Sequence, residues 1–229
     1  MKLVFQYLYY FFSSVRNRGL IFTFKLMYNE WKWERKLGIS TLGIEALPEE
    51  ISKDQYKEQQ FHHYQGASFY ILMETFKHIP ESFKEGSFID YGCGKGRVMV
   101  VAALSGFKKI MGLDIDERLL VQARKNISLS QAKFNGSEFE ILHADATQFV
   151  VPDNASVLFF FNPFGEEVMR QVCHQVLKSL ERNKRQLLIV YVNPKFLNVW
   201  NEIGAKEVFS LNSKKYLESV ILKMNSFKN

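Results

Sequence analysis

Hydrophobic and polar positions change their spacing along the chain. From about residue 64 onward, short apolar runs alternate with stretches whose apolar residues recur every three to four positions. The runs at 88–92, 109–114, 138–143, 156–161, 186–192, 205–211 and 216–224 read as strands. Segments 67–79, 96–105, 117–129, 165–182 and 195–203 read as helices, with Pro80, Gly106 and Gly204 as stops. A turn at Asn135-Gly136 precedes the third strand. This alternation predicts an α/β fold, a seven-stranded, mostly parallel sheet with helices on both faces. Only Asn212 to Lys215 joins the last two strands. A link that short permits an antiparallel hairpin but no parallel crossover, so the last strand is expected to run against the rest.

The first 60 residues follow a different pattern. Leu3 to Val15 is apolar and aromatic, and at about 100° per residue Lys2, Gln6, Ser13, Arg16 and Asn17 share one sector. A second amphipathic stretch reaches about Lys36, with Leu20, Phe24, Met27 and Trp31 on one stripe. Residues 37–60 form a polar connector holding Pro48 and the charged run Glu49 to Gln60. The expected organisation is an N-terminal helical extension with connector over 1–60, followed by a single domain over 61–229.

Composition adds a charge asymmetry. The 229 residues are 47% apolar and 24% charged, as in soluble globular proteins. The formal charge is +6, but residues 1–36 hold seven cations against two anions, leaving about +1 for the rest. A protein-wide nucleic-acid footprint is therefore not expected. Leu3 to Val15 is too short to span a bilayer, which takes roughly 20 apolar residues. It also lacks a small-residue cleavage site, and Arg16 and Arg18 follow it. Two readings stand: a helical cap packed on the main domain, or peripheral membrane contact through residues 1–36. Cys93 and Cys173 make no disulfide framework and fit a reducing compartment. The expected location is cytoplasmic, at the inner membrane surface under the second reading.

The candidate chemistry begins at Asp90-Tyr91-Gly92-Cys93-Gly94-Lys95-Gly96-Arg97, where an apolar strand enters a glycine-rich turn and then a helix. The dinucleotide fingerprint is G-x-G-x-x-G. Here the spacing is G-x-G-x-G, and Arg97 takes the third glycine's place. Asp90 would repel a pyrophosphate but pair with a cationic or amino-bearing ligand. The second strand ends in Asp114-Ile115, where an acid suits ribose hydroxyls. The third is followed by Asp145-Ala146, where an acid could accept from an exocyclic amine. Asp116 reads as the N-cap of helix 117–129. Cys93 reads as a small loop residue, and Lys95 and Arg97 as solvated or paired with carboxylates. The fourth strand ends in Asn162-Pro163-Phe164. No His/Cys/Asp set has metal-ligand spacing.

Three acids at successive strand ends, with the G-x-G-x-G turn and the seven-strand ending, resemble the class I S-adenosylmethionine-dependent methyltransferases over roughly residues 64–224. The resemblance implies a Rossmann-like fold and S-adenosyl-L-methionine as cofactor, released as S-adenosyl-L-homocysteine. It implies a cofactor site of Asp90, Tyr91, Gly92, Cys93, Gly94, Gly96, Asp114, Ile115, Asp145, Ala146 and Asn162. Asp114 would hold the ribose hydroxyls and Asp145 the adenine. Asn162-Pro163-Phe164 is similar to the (D/N/S)-P-P-(Y/F) motif of amino-group methyltransferases, with one proline missing. It makes Asn162, Pro163 and Phe164 the catalytic candidates, with Asn162 alternatively a cap for helix 165–182. His63-Tyr64-Gln65-Gly66 lies where the family often has a lid, and Tyr64 reads as a lid residue or a packing aromatic. A related group in which the glycine-rich turn is followed by Arg, as Arg97 follows Gly96 here, includes protein lysine methyltransferases. The expected function is N-methylation of an amino group, for instance a protein lysine. The alternatives are O- or C-methylation of a small molecule, or a non-catalytic cofactor-binding scaffold. The acceptor is expected to be protein or small molecule rather than nucleic acid.

Overall fold

A computed structural model describes residues 2–46, 63–134, 136–213 and 216–225, with side chains from residue 8 onward. The Glu49 to Gln60 run and Asn135 therefore lie outside the described residues, as do the side chains of Lys2 and Gln6.

Two helices, α1 (Lys2–Arg18) and α2 (Leu20–Leu37), open the chain. A two-stranded antiparallel pair joins β1 (Ile44–Glu45) to β2 (Tyr64–Gln65), and α3 (Phe69–Phe76) follows. The alternation then runs β3 (Ser87–Tyr91), α4 (Arg97–Leu104), β4 (Lys109–Asp114), α5 (Glu117–Ser130), β5 (Glu138–His143), β6 (Ala155–Phe161) and α6 (Glu166–Arg182). It ends with β7 (Gln186–Val192), α7 (Leu197–Glu202), β8 (Lys206–Ser213) and β9 (Tyr216–Asn225).

The sheet order is β5-β4-β3-β6-β7-β9-β8. β3 to β7 are mutually parallel, and β9 is antiparallel to both its neighbours. This is the expected seven-strand sheet with a reversed last strand. The central strands are continuously apolar because both faces are covered. Phe88, Val157 and Phe159 point into one core with α3 and α4. Ile89, Leu158 and Phe160 point into the other, against α6 and Trp200 of α7.

The N-terminal hairpin packs on the first of these cores. Its inward residues are Phe22, Leu26, Trp33 and Leu37. The Leu20-Phe24-Met27-Trp31 stripe faces outward instead, more than half exposed at each position. α2 is apolar on two sides, and the sequence pattern alone does not say which side packs.

Candidate active site

The parallel strands share one carboxyl edge, and a cavity of about 430 Å³ lies along it. The residue after each strand, Gly92, Ile115, Ala144, Asn162 and Asn193, lines the wall. Strand order reverses between β3 and β6, and such a switch point leaves a crevice in open α/β sheets. Gly92 (φ +75°) and Pro163 flank that crevice, and a Cβ on Gly92 would stand 2.7 Å from Pro163 Cβ.

The turn after β3 spends its donors internally. The N–H groups of Gly92 and Cys93 both donate to Leu113 O (2.9 and 3.0 Å). Gly94 N donates to Asp114 Oδ2 at 2.8 Å, and Asp116 N donates to Asp114 Oδ1 at 2.9 Å. None of these N–H groups is left to cradle a phosphate, which agrees with the glycine spacing. Each carboxylate oxygen keeps lone pairs to accept hydroxyls. Burial raises the Asp114 carboxyl, and the Asp116 and Gly94 N–H groups partly offset that rise.

Asp90 sits behind the Gly92 wall, 1% exposed, and its Oδ2 has no hydrogen-bond partner. Burial, with the Asp114 charge second, pushes its carboxyl well above the usual carboxylate range. Tyr91 turns to the opposite core, stacked on Phe160 with centroids 4.8 Å apart. Cys93 is buried against Gly112, where an added Cβ would meet Cys93 Cβ at 2.8 Å, so it packs as a small loop residue. Gly94 (φ +52°) lies directly under the Tyr64 ring, and a Cβ there would fall 2.3 Å from a ring carbon. Tyr64 Oη donates to Thr41 O at 2.6 Å, which fixes the ring over the turn and beside the cavity.

At the far end Asn162 has φ 42°, a left-handed conformation uncommon outside glycine. Its Oδ1 accepts a long 3.4 Å bond from Tyr191 Oη. Gly165, not Asn162, holds the N-cap position of α6, so the capping alternative is absent. Phe164 is 2% exposed and set edge-on to Phe160 (6.2 Å, 78°). It contributes a wall rather than a free aromatic face.

Of the residues singled out in the sequence, His63, Tyr64, Gln65, Gly92, Asp114, Ile115, Asp116, Ala146, Asn162, Pro163 and Phe164 line the cavity. Asp90, Tyr91, Cys93, Gly94, Gly96 and Asp145 do not. Asp145 turns its carboxylate back to Thr147, accepting from its N and Oγ1 at 2.8 Å each. Asp116 is the N-cap of α5, accepting from Arg118 N at 3.0 Å, as expected. Sequence reasoning missed Tyr10, Asn193 and Lys195, which also line the cavity. A signal for Asn193 was present. Asn193-Pro194 ends β7 as Asn162-Pro163 ends β6, and Asn193 is left-handed too (φ 50°).

Arg97, in the third-glycine position, is 3% exposed and points away from the cavity. Its Nη1 donates to Glu30 Oε2 (2.5 Å) and Ala67 O (2.7 Å), and its Nε to Thr41 Oγ1 (2.7 Å). Nη2 reaches Glu34 Oε1 at 3.3 Å, and the guanidinium lies 4.3 Å from the Phe69 ring centroid. Gly66 leaves room for it, since a Cβ there would stand 2.8 Å from Arg97 Cζ. Lys95 pairs with Glu45 at 2.8 Å. Both cations are thus paired with carboxylates.

A family model described as a methyltransferase domain matches residues 82–222. The ribosomal protein L11 methyltransferase of Aquifex aeolicus is 38% identical over 58 residues, covering 25% of this chain and 24% of its own length. That of Burkholderia cenocepacia (strain HI2424) is 28% identical over 134 residues, 54% of this chain and 42% of its own length. The chain therefore spans less than half the length of these relatives. A crystallised protein of Methanococcus maripaludis, assigned to the S-adenosyl-L-methionine-dependent methyltransferases, superposes with a TM-score of 0.50. The identity is 17%, over 79% of this chain and 90% of that one, and the likeness is one of fold.

Proposed function

The chain belongs to the methyltransferase domain family, among the class I S-adenosylmethionine-dependent methyltransferases, and on that premise we propose that it methylates an amino nitrogen on a protein. The observation that carries this reading is Asn162, held left-handed at the end of β6 and lining the cavity beside Pro163.

The residues present fit the family's cofactor. Asp114 presents fixed acceptor oxygens at the wall, and Asp90, buried behind the Gly92 turn, keeps one oxygen without a partner. A cavity of about 430 Å³ lies within the size range of small-molecule sites. When bound, S-adenosyl-L-methionine supplies a methyl group activated by its sulfonium. The protein's part is placement. Asn162 Oδ1 accepts an N–H of the acceptor amine, which aims the nitrogen lone pair and keeps the nucleophile oriented. Pro163 and Phe164 shape the wall and exclude water from that end. The turn at Gly92 lets the backbone approach the ligand where a side chain would collide with Pro163.

A protein acceptor is supported by the names of the curated relatives, which are ribosomal protein methyltransferases. The expectation that nucleic acid is not the acceptor gains no support from the comparisons, so the assay includes it. The test is transfer of labelled methyl from the cofactor to fractionated lysate, followed by protease or nuclease digestion. Protease-sensitive label is expected. Nuclease-sensitive label, or label confined to small molecules, would overturn a protein acceptor. Asn162→Ala should reduce transfer by about 10- to 100-fold, the worth of one hydrogen bond to a reacting group, with cofactor affinity unchanged. Asn162→Gly, which adopts the same backbone conformation without strain, should be equally slow.

A further inference from the structure

The outward face of the N-terminal hairpin is unlike the rest of the surface. Sixteen large apolar side chains are exposed among the described residues, and ten of them lie between residues 8 and 31. On α2, Leu20, Ile21, Phe24, Met27, Tyr28 and Trp31 fall within an arc of about 120° opposite the packed side. Ile21 is 88% exposed. A helix on a globular surface normally turns charged residues outward.

The surrounding charges give this face a sign. Lys32 Nζ stands 5.9 Å from the Tyr28 ring centroid, and the Arg35 guanidinium 5.5 Å from that of Trp31. Cations therefore flank the apolar arc, in a segment where seven cations face two anions. Those two anions, Glu30 and Glu34, are turned inward to Arg97, as Arg18 is to Glu218, so the outer face carries cations and no acid of this segment. No helix among the described residues is long and apolar enough to cross a membrane. Aromatic and aliphatic side chains rimmed by Lys and Arg, on a helix that cannot span, match the chemistry of the interface of an anionic bilayer. A second protein copy would bring its own cations against these.

We infer that the hairpin of α1 and α2 docks the protein peripherally on an anionic lipid surface, apolar arc inserted and Lys32 and Arg35 at the headgroups. Tyr10 of the same hairpin lines the cavity, so docking places one wall of the active site on the membrane-bound element.

The test is co-sedimentation of the full chain with vesicles of phosphatidylcholine alone, or with phosphatidylglycerol added. Binding is expected to the anionic vesicles only and should weaken steeply with salt. Ile21→Glu with Met27→Glu removes apolar insertion and should weaken binding at least tenfold with the melting temperature kept. Lys32→Glu with Arg35→Glu should do the same by removing headgroup attraction, and it keeps the test decisive if the first pair misfolds. Failure of the unaltered chain to pellet with anionic vesicles overturns the inference. So does binding that neither variant weakens, or a solution dimer that Ile21→Glu/Met27→Glu dissociates without any lipid binding. Vesicle binding is read without the cofactor, so it is independent of whether the methyl-transfer reading holds.

Discussion

Replacing Arg97 by Met should show how far the glycine turn depends on the N-terminal hairpin. The guanidinium is 3% exposed and bridges Glu30, Glu34, Thr41 and the Ala67 carbonyl. Methionine fills much of its volume but leaves two carboxylates, 18% and 14% exposed, without their cation. Breaking a buried pair on one side costs about 3–5 kcal/mol. The carboxylates keep some solvent and other donors, since Phe69 N bonds Glu30 and Thr41 bonds Glu34, so the lower end, about 3 kcal/mol, applies. Over 229 residues an unfolding entropy of about 2.1 cal/mol/K per residue converts this to a fall of roughly 6 °C in Tm. Denaturant unfolding with a thermal melt measures both. The triple variant Arg97→Met/Glu30→Gln/Glu34→Gln should recover most of the loss, because no uncompensated charge remains. A cost under about 1 kcal/mol, or a triple variant no more stable than the single one, would refute a buried charge clamp.

Gly94→Ala places a methyl 2.3 Å from the Tyr64 ring at φ +52°, and should cost about 1–2 kcal/mol. Adding Tyr64→Ala should relieve the collision but not the backbone strain, which paired melts would separate. Asp90→Asn should stabilise the ligand-free protein and weaken cofactor binding, read by melting and calorimetry. Its carboxyl is raised in the folded state. The wild type therefore keeps this contribution below the unfolded value near 3.8 and loses it as pH rises toward the folded pKa. The gain from Asp90→Asn should accordingly grow with pH by up to about 1.4 kcal/mol per unit through that window. A variant gain that does not change between pH 4 and pH 7 would count against the buried carboxyl. Arg18→Ala removes the cation paired with the 3%-exposed Glu218 and should destabilise by about 3 kcal/mol in denaturant melts.

The sheet was legible in the sequence because strands covered on both faces, such as Val157 to Phe161, are unbroken apolar runs. The reversed last strand followed from a link too short to cross over. Asp116 was recognisable as a cap because capping is a local interaction. The pair β1–β2 was not legible, since two-residue strands carry no period. Neither were the partners of Arg97, which lie up to 67 positions away in sequence. Asp145 shows the limit of reading strand-end acids by position: a local turn to Thr147 engages its Oδ1. The outward stripe of α2 was visible as a pattern, but its direction depended on the competing inward stripe of Phe22, Leu26 and Trp33.

Given the proposed lipid docking, Arg97, which ties α2 to the start of α4, would join two binding equilibria. Arg97 begins the helix that leaves the glycine turn, and its anchors are Glu30 and Glu34 on the element proposed to meet lipid. A surface that favours the seated hairpin then favours the seated turn, and the cofactor returns the same free energy to surface binding. Lipid affinity measured with and without the cofactor must therefore shift by the same factor as cofactor affinity measured with and without lipid.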